Sequence, residues 1–382
     1  MYGFFDGLQY NLFTRKNSKD FLLGESAVVK VESIFKKLMI KIKKSYFVVN
    51  KFYLWLLFFI LLGINAAIAF IGVVIVFLIF LFTRRVPLEP KGQYRYDTYV
   101  YKQSGALKLK LDCWYPNERQ EKYPVVFFAH GGGWISGIRN QPNNVSWSKY
   151  LASKGIAVVS IDYRYGINNS MEDILEDYSD ALEFVREKAK MLRIDTSKMA
   201  LMGLSAGGHL ALLYATYYTS DKSSVNPEEK KSRMKGIKAV VAFYAPSDLK
   251  DIFEKDNKSL FARFATRTTL KGLPRDSDDV YQYYSPIYWL SSNMPPVFLA
   301  HGKDDVVVPC NSSIKLARKL KSCCVDYKFY VHKKGNHAFE FVLKDFKTIR
   351  ILEATSSFLK SRLSMSEEPM SDTEGKGENN AC

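Results

Sequence analysis

From Phe52 to Phe82 the chain runs almost without interruption through apolar side chains. No charge falls inside the run, and Asn65 is its one strongly polar residue. Roughly 20 apolar residues already match the hydrocarbon core of a bilayer, so the run predicts a transmembrane segment over 52–82. A single tilted pass suits its length better than a tight hairpin about Gly63-Ile64-Asn65, because each hairpin arm would be short for a span. The length of the run, its late start and the lack of a small-residue cleavage site behind it argue against a cleaved signal sequence.

Charge gathers beside this run. The net charge is +16, and residues 1–91 hold thirteen Lys/Arg against five Asp/Glu, half of the excess. Anionic headgroups are therefore the partner implied. No zinc-finger spacing, RNP-like aromatic motif or basic recognition helix occurs, so no nucleic acid is expected. Within residues 1–51, Val28, Val31, Ile34, Phe35, Leu38 and Ile42 recur at helical spacing opposite Lys30, Lys37, Lys41 and Lys44. This is the pattern of a basic amphipathic helix on a membrane surface. Lysines dominate before the run, yet Arg84, Arg85, Lys91 and Arg95 follow it. The positive-inside rule then leans to a cytosolic N-terminus and a lumenal remainder in an endoplasmic-reticulum or other secretory-pathway membrane. Four N-x-S sequons begin at Asn144, Asn168, Asn257 and Asn311. Five cysteines without a CxxC pair predict neither a structural zinc site nor a disulfide framework, and no metal or cofactor is expected.

Over 92–363 the pattern changes. Short apolar runs (Val125–Ala129, Ile156–Ile161, Met199–Met202, Ile237–Phe243, Val297–Ala300, Val325–Val331) alternate with amphipathic stretches such as Met171–Met191 and Ser312–Leu320. Continuous apolar strands between helices indicate an α/β domain: a mostly parallel sheet covered on both faces. Aromatic-rich strands at Tyr94–Tyr101 and Leu107–Tyr115 make the sheet mixed. Residues 248–290 are too long for a simple connection and rich in Phe, Tyr and Trp, as a cap over a site would be. The Ser-, Glu- and Gly-rich stretch 364–382 reads as a disordered tail.

Two glycine-rich segments come directly after apolar strands. Gly203-Leu204-Ser205-Ala206-Gly207 fits G-x-S-x-G and opens a helix, the setting in which a serine sits exposed on a sharp turn. His130-Gly131-Gly132-Gly133-Trp134 precedes it by one βαβ unit. The N–H groups of Gly131 and Gly132, with that of Ala206, would form an oxyanion hole. A base and an acid should come later in chain order. Of the five histidines, His337 lies in a loop after the last strand, where the base belongs. His332 is the alternative, and His209, on the helix after Ser205, reads as structural. Asp304 and Asp305, adjacent after the strand Val297–Ala300, are both candidates for the acid.

Taken together, H-G-G-G-W, G-x-S-A-G-G-H and H-G-x-x-D-x-x-V-P resemble the hormone-sensitive-lipase-like and acetyl-esterase-like α/β-hydrolases over about residues 94–360. The resemblance implies an α/β-hydrolase fold, a Ser205–His337–Asp305 triad with Asp305 rather than Asp304 as acid, and a structural role for Asp162-Tyr163-Arg164. Membrane-bound isoprenylcysteine methylesterases are similar in layout, with hydrophobic segments before an H-G-G-x-W domain, and Val308-Pro309-Cys310-Asn311-Ser312-Ser313 looks like their segment after the acid. The activity this resemblance implies is that of a carboxylesterase acting on a small-molecule or lipid-like ester, such as a prenylcysteine methyl ester. An acyltransferase using the same triad and a non-catalytic scaffold are the alternatives.

Overall fold

A strand with no polar residue has to be covered on both faces, and β3 (Tyr123–Ala129) shows how this is met. Val125, Phe127 and Ala129 enter one hydrophobic core, while Val126 and Phe128 enter another on the opposite face. This is the two-residue alternation of a pleated strand. The computed structural model describes residues 85–364 continuously and, before them, residues 30, 32–42, 55–60, 62–65, 68 and 71–72, all helical. The chain divides into two compact units, Met1–Leu78 and Ile79–Cys382. In the first, 32–42 form an exposed helical stretch. Much of the expected span 52–82, most of 1–51 and all of 365–382 lie outside the described residues. Among the described residues no helix is long and apolar enough to cross a membrane.

The second unit carries an eight-stranded sheet in the order β1-β2-β4-β3-β5-β6-β7-β8. Its strands are β1 (Tyr96–Ser104), β2 (Leu107–Trp114), β3, β4 (Ala157–Ile161), β5 (Ile194–Leu204), β6 (Ile237–Phe243), β7 (Val297–Gly302) and β8 (Tyr327–His332). The β1/β2 and β2/β4 pairs are antiparallel, and all the others are parallel. Helices cover both faces: the crossovers α1 (Pro142–Ala152), α2 (Met171–Glu187), α3 (Ala206–Thr219) and α5 (Cys310–Ser322), and the helix after the last strand, α6 (Phe346–Arg362). Ser170 starts α2 with a capping box, accepting from the Asp173 N–H while Asp173 accepts from the Ser170 N–H. This is the α/β-hydrolase fold.

The structure refines the sequence expectations in three places. The helix expected over Met171–Met191 ends at Glu187, and a short turn, Ala189–Leu192, comes next before Arg193 takes a left-handed conformation. β5 begins at Ile194, which pairs with Tyr123, but the register shifts before Val125 pairs with Met199. The polar residues Asp195–Lys198 thus form an irregularity in the strand, where the Asp195 carboxylate accepts from the Ser197 N–H and hydroxyl. Between β6 and β7 the chain forms a 3₁₀ turn (Leu249–Phe253), helix α4 (Leu260–Leu270) and two short helices, Asp278–Tyr283 and Pro286–Trp289.

Register gathers the chemistry at one edge. Ala129 pairs with Gly203, Leu204 with Phe243, Phe243 with Ala300 and Gly302 with His332. The segments bearing His130, Ser205, Tyr244, Asp305 and His337 all leave the sheet at its carboxyl end, where open α/β sheets place their sites.

Candidate active site

Ser205 is the residue between β5 and α3, with φ 50° and ψ −115°. A non-glycine residue in that region stores about 1–3 kcal/mol of strain, so the neighbours have to hold it. They do so by close approach. A Cβ on Gly203 would lie 2.1 Å from the carbonyl carbon of Gly207, and one on Gly207 would lie 2.0 Å from the Ala129 oxygen. Only glycine fits either position. The Ser205 N–H donates to the Phe243 carbonyl at 2.9 Å, which ties the turn to β6.

The structure brings Ser205, His337 and Asp305 into one relay. His337 Nε2 lies 3.0 Å from Ser205 Oγ, and His337 Nδ1 lies 2.8 Å from Asp305 Oδ2. Asp305 Oδ1 accepts the N–H groups of Val307 and Val308 at 2.8 and 2.9 Å. His301, fully buried, places Nε2 3.2 Å from Asp305 Oδ2 and 2.9 Å from the Val308 carbonyl. Both neighbours of Nε2 accept, so this nitrogen carries hydrogen, and the Ser313 hydroxyl, 2.7 Å away, donates to Nδ1. Burial pushes the Asp305 carboxyl up, but His337 and the hydrogen bond from His301 outweigh it and hold it well below the usual carboxylate range. An ionised acid, an imidazole with its proton on Nδ1 and a hydroxyl on Nε2 are the parts needed for nucleophilic attack.

The other sequence candidates fall elsewhere. The Asp304 side chain is exposed, and its backbone N–H donates to Gly335. His332 Nε2 lies 3.1 Å from both carboxylate oxygens of Asp345. His209 Nε2 donates to the Tyr284 carbonyl at 2.7 Å, and burial pushes its pKa down to about 4. A Cβ on Gly131 would stand 3.5 Å from Ser205 Cβ, so the glycine loop runs past the serine. Ala206 opens α3, whose first N–H groups have no partner within the helix. The loop is pinned from behind: Tyr163 donates to the His130 carbonyl at 2.8 Å and stacks on the imidazole, whose Nδ1 donates to the Gly131 carbonyl at 2.7 Å. Asp162 holds Arg139, and Arg164 holds Asp173, Glu176 and Asp177 of α2.

Tyr244, in a segment Tyr244–Asp248 that also resembles the esterase group, stands beside the relay, and Glu340 stands behind it. Tyr244, with φ 38°, sets its ring against His337 at 4.6 Å between centroids, and its hydroxyl donates to buried Glu340 at 2.6 Å. Trp147 also donates to Glu340. For Glu340 the one available signal was a single carboxylate inside the apolar stretch Ala338–Val342.

Comparison with known proteins agrees with this architecture. The protein-family model BD-FAE matches residues 111–320, more than half of the chain. Esterase LipC of Mycobacterium tuberculosis is 26% identical over 234 residues, which is 61% of this chain and 57% of that protein. A rice (Oryza sativa) protein named probable isoprenylcysteine alpha-carbonyl methylesterase is 27% identical over 241 residues, 61% of this chain and 56% of that one. The chain thus spans a little over half the length of these curated relatives. Among solved structures, the thermophilic esterase Est2 of Thermogutta terrifontis with butyrate bound superposes with a TM-score of 0.55 at 25% identity, covering 69% of this chain and 93% of that one. The chain belongs to the BD-FAE family and has the fold of the α/β-hydrolases.

Proposed function

We propose that this chain is a membrane-anchored serine carboxylesterase working through a Ser205 acyl-enzyme. The observation that carries the reading is the unbroken Ser205–His337–Asp305 relay, at 3.0 and 2.8 Å, on a strained strand-to-helix turn. Ser205 Oγ attacks the ester carbonyl carbon while His337 Nε2 takes the hydroxyl proton. The N–H groups of Gly131, Gly132 and Ala206 receive the oxyanion, and one such donor is worth about 2.7–4 kcal/mol in the transition state. Collapse breaks the carbon–alkoxy bond, and His337 hands the proton to the departing alcohol. Water then repeats the attack and frees the acid. Asp305 holds the imidazole in the required tautomer and balances its charge.

The substrate class we favour is a lipid-like ester, with prenylcysteine methyl esters as one member. The apolar run 52–82 would hold the site near a bilayer, and the similarity to the rice methylesterase points the same way. Hydrolysis of p-nitrophenyl esters from acetyl to palmitoyl, beside farnesylcysteine methyl ester, tests this. Turnover rising with chain length or specific to the prenylated ester supports it, whereas turnover confined to acetyl esters contradicts it. Resistance of the full chain to alkaline carbonate extraction tests the anchor. A lumenal domain would carry glycan at Asn168 or Asn311, the exposed sequon asparagines, because Asn144 and Asn257 are buried and donate to main-chain carbonyls.

A further inference from the structure

Helix α4 touches both loops that flank Ser205. On one side Ala262 packs with Val308, in the loop that carries Asp305. On the other, a Cβ on Gly133 would come 2.9 Å from Ala265 Cβ and 3.1 Å from Phe261 Cζ, so these side chains lie directly on the glycine loop. Ala262, Ala265, Thr266 and Thr269 form the buried arc of the helix. Ser259 caps its first turn by accepting the Ala262 N–H at 3.1 Å. The helix is therefore a fixed strap across the two loops.

Its other face is unusual. At 3.6 residues per turn, Leu260, Phe264 and Arg267 lie opposite the buried arc. Leu260 is 83% exposed and Phe264 is 59% exposed, while Val306, next to Asp305, is 63% exposed. Burying a side chain of this size contributes about 1.5–3 kcal/mol, and here that contribution is left unrealised on each side of the site. Lys255, Lys258, Arg267, Lys271 and Lys303 are exposed around these residues. Of the nearby carboxylates, Glu254 is taken by Lys315 at 3.1 Å, while Asp256 and Asp304 are exposed among these cations, which leaves five positive charges against two. An apolar centre with a basic margin matches an anionic lipid surface. It does not suit a second copy of a chain that itself carries +16.

We propose that the outward face of α4, centred on Leu260 and Phe264, is a docking surface for an anionic lipid interface. It sets the mouth of the Ser205 site on the bilayer, so that a lipid-borne ester reaches the serine without crossing water. The proposal rests on the ester-hydrolase reading for its substrate, but not for the docking itself.

The test uses the full chain with phosphatidylcholine vesicles, with and without phosphatidylserine. The N-terminal apolar run is common to parent and variants and so cancels. Two esters are compared, p-nitrophenyl butyrate in water and a fluorogenic palmitoyl ester dissolved in the vesicles. Leu260→Ser/Phe264→Ser leaves butyrate turnover unchanged and lowers vesicle-ester turnover about tenfold. Phosphatidylserine raises vesicle-ester turnover by the parent, and Lys258→Gln/Arg267→Gln removes that rise. Equal vesicle-ester turnover by parent and apolar variant overturns the proposal. So does an equal loss on both esters, which would make α4 a wall of the pocket. A second readout needs no catalysis: the emission that Phe264→Trp adds to the parent's is quenched by lipids brominated on their acyl chains. Unquenched emission overturns the docking whatever the activity. No hydrolysis of either ester by the parent would sink the hydrolase reading and leave the quenching result to decide the docking.

Discussion

Asparagine at position 305 would replace one oxygen by an amide nitrogen in a place where every partner is a donor. The Val307 and Val308 N–H groups meet Oδ1, and His337 Nδ1 and His301 Nε2 meet Oδ2. A carboxylate serves both pairs, and an amide cannot. If the amide oxygen stays with the backbone pair, its NH₂ faces His337, and Nδ1 must become an acceptor. The imidazole proton then moves to Nε2, the nitrogen that faces Ser205, and that tautomer cannot take the hydroxyl proton. The flipped amide leaves two N–H groups without an acceptor, at about 1–3 kcal/mol each, so the inactive tautomer is favoured. The expected loss in kcat for Asp305→Asn is about 10⁴-fold, or about 5 kcal/mol of transition-state stabilisation. Asp304→Asn is the internal control: its side chain is exposed, and the substitution leaves turnover unchanged. Both variants are assayed on p-nitrophenyl butyrate beside thermal unfolding of each protein. Asp305→Asn turnover within about tenfold of the parent, or an equal loss in Asp304→Asn, would refute the reasoning.

The packing sets two further outcomes. The neutral imidazole of His209 is the folded form, while the unfolded chain takes up a proton below its ordinary 6.5. Stability therefore falls as pH drops from 6.5 towards about 4, by up to about 3 kcal/mol from this group. His209→Gln keeps a donor for the Tyr284 carbonyl and loses the titration, so its melting temperature declines less steeply over that window; parallel declines would contradict the assignment. Gly207→Ala drives a methyl group into the Ala129 carbonyl, 2.0 Å away. It costs about 3 kcal/mol and abolishes turnover, and a urea midpoint equal to the parent's would show that the turn is not held this way.

The glycine segments were legible because their constraint is local. A turn that tolerates no Cβ shows itself as G-x-S-x-G, and the apolar runs show themselves as strands. The choice between Asp304 and Asp305 was not legible from residue type. It depends on a turn in which the Asp304 N–H binds Gly335 while Asp305 collects its donors from Val307, Val308, His301 and His337. Only alignment on a family motif separated the two. Tyr244 and Glu340 meet across 96 positions of chain, and no periodicity encodes such a contact. The same holds for α4 lying on Gly133: the sequence marked 248–290 as long and aromatic, but which side chain meets the glycine loop is set by tertiary packing. β5 ran longer than its apolar core because Ile194 pairs with Tyr123 beyond the irregular stretch Asp195–Lys198, whose side chains gave no strand signal.

Covalent labelling tests the central claim most directly. The full chain is treated with a fluorophosphonate, digested and mapped by mass spectrometry, with Ser205→Ala treated in parallel and both proteins compared by thermal unfolding. The account predicts a single adduct on the peptide bearing Ser205, together with loss of ester hydrolysis in step with labelling. It also predicts a Ser205→Ala protein that melts like the parent, takes no label and does not turn over. An adduct on another residue, or ester hydrolysis retained by the folded Ser205→Ala protein, would contradict it.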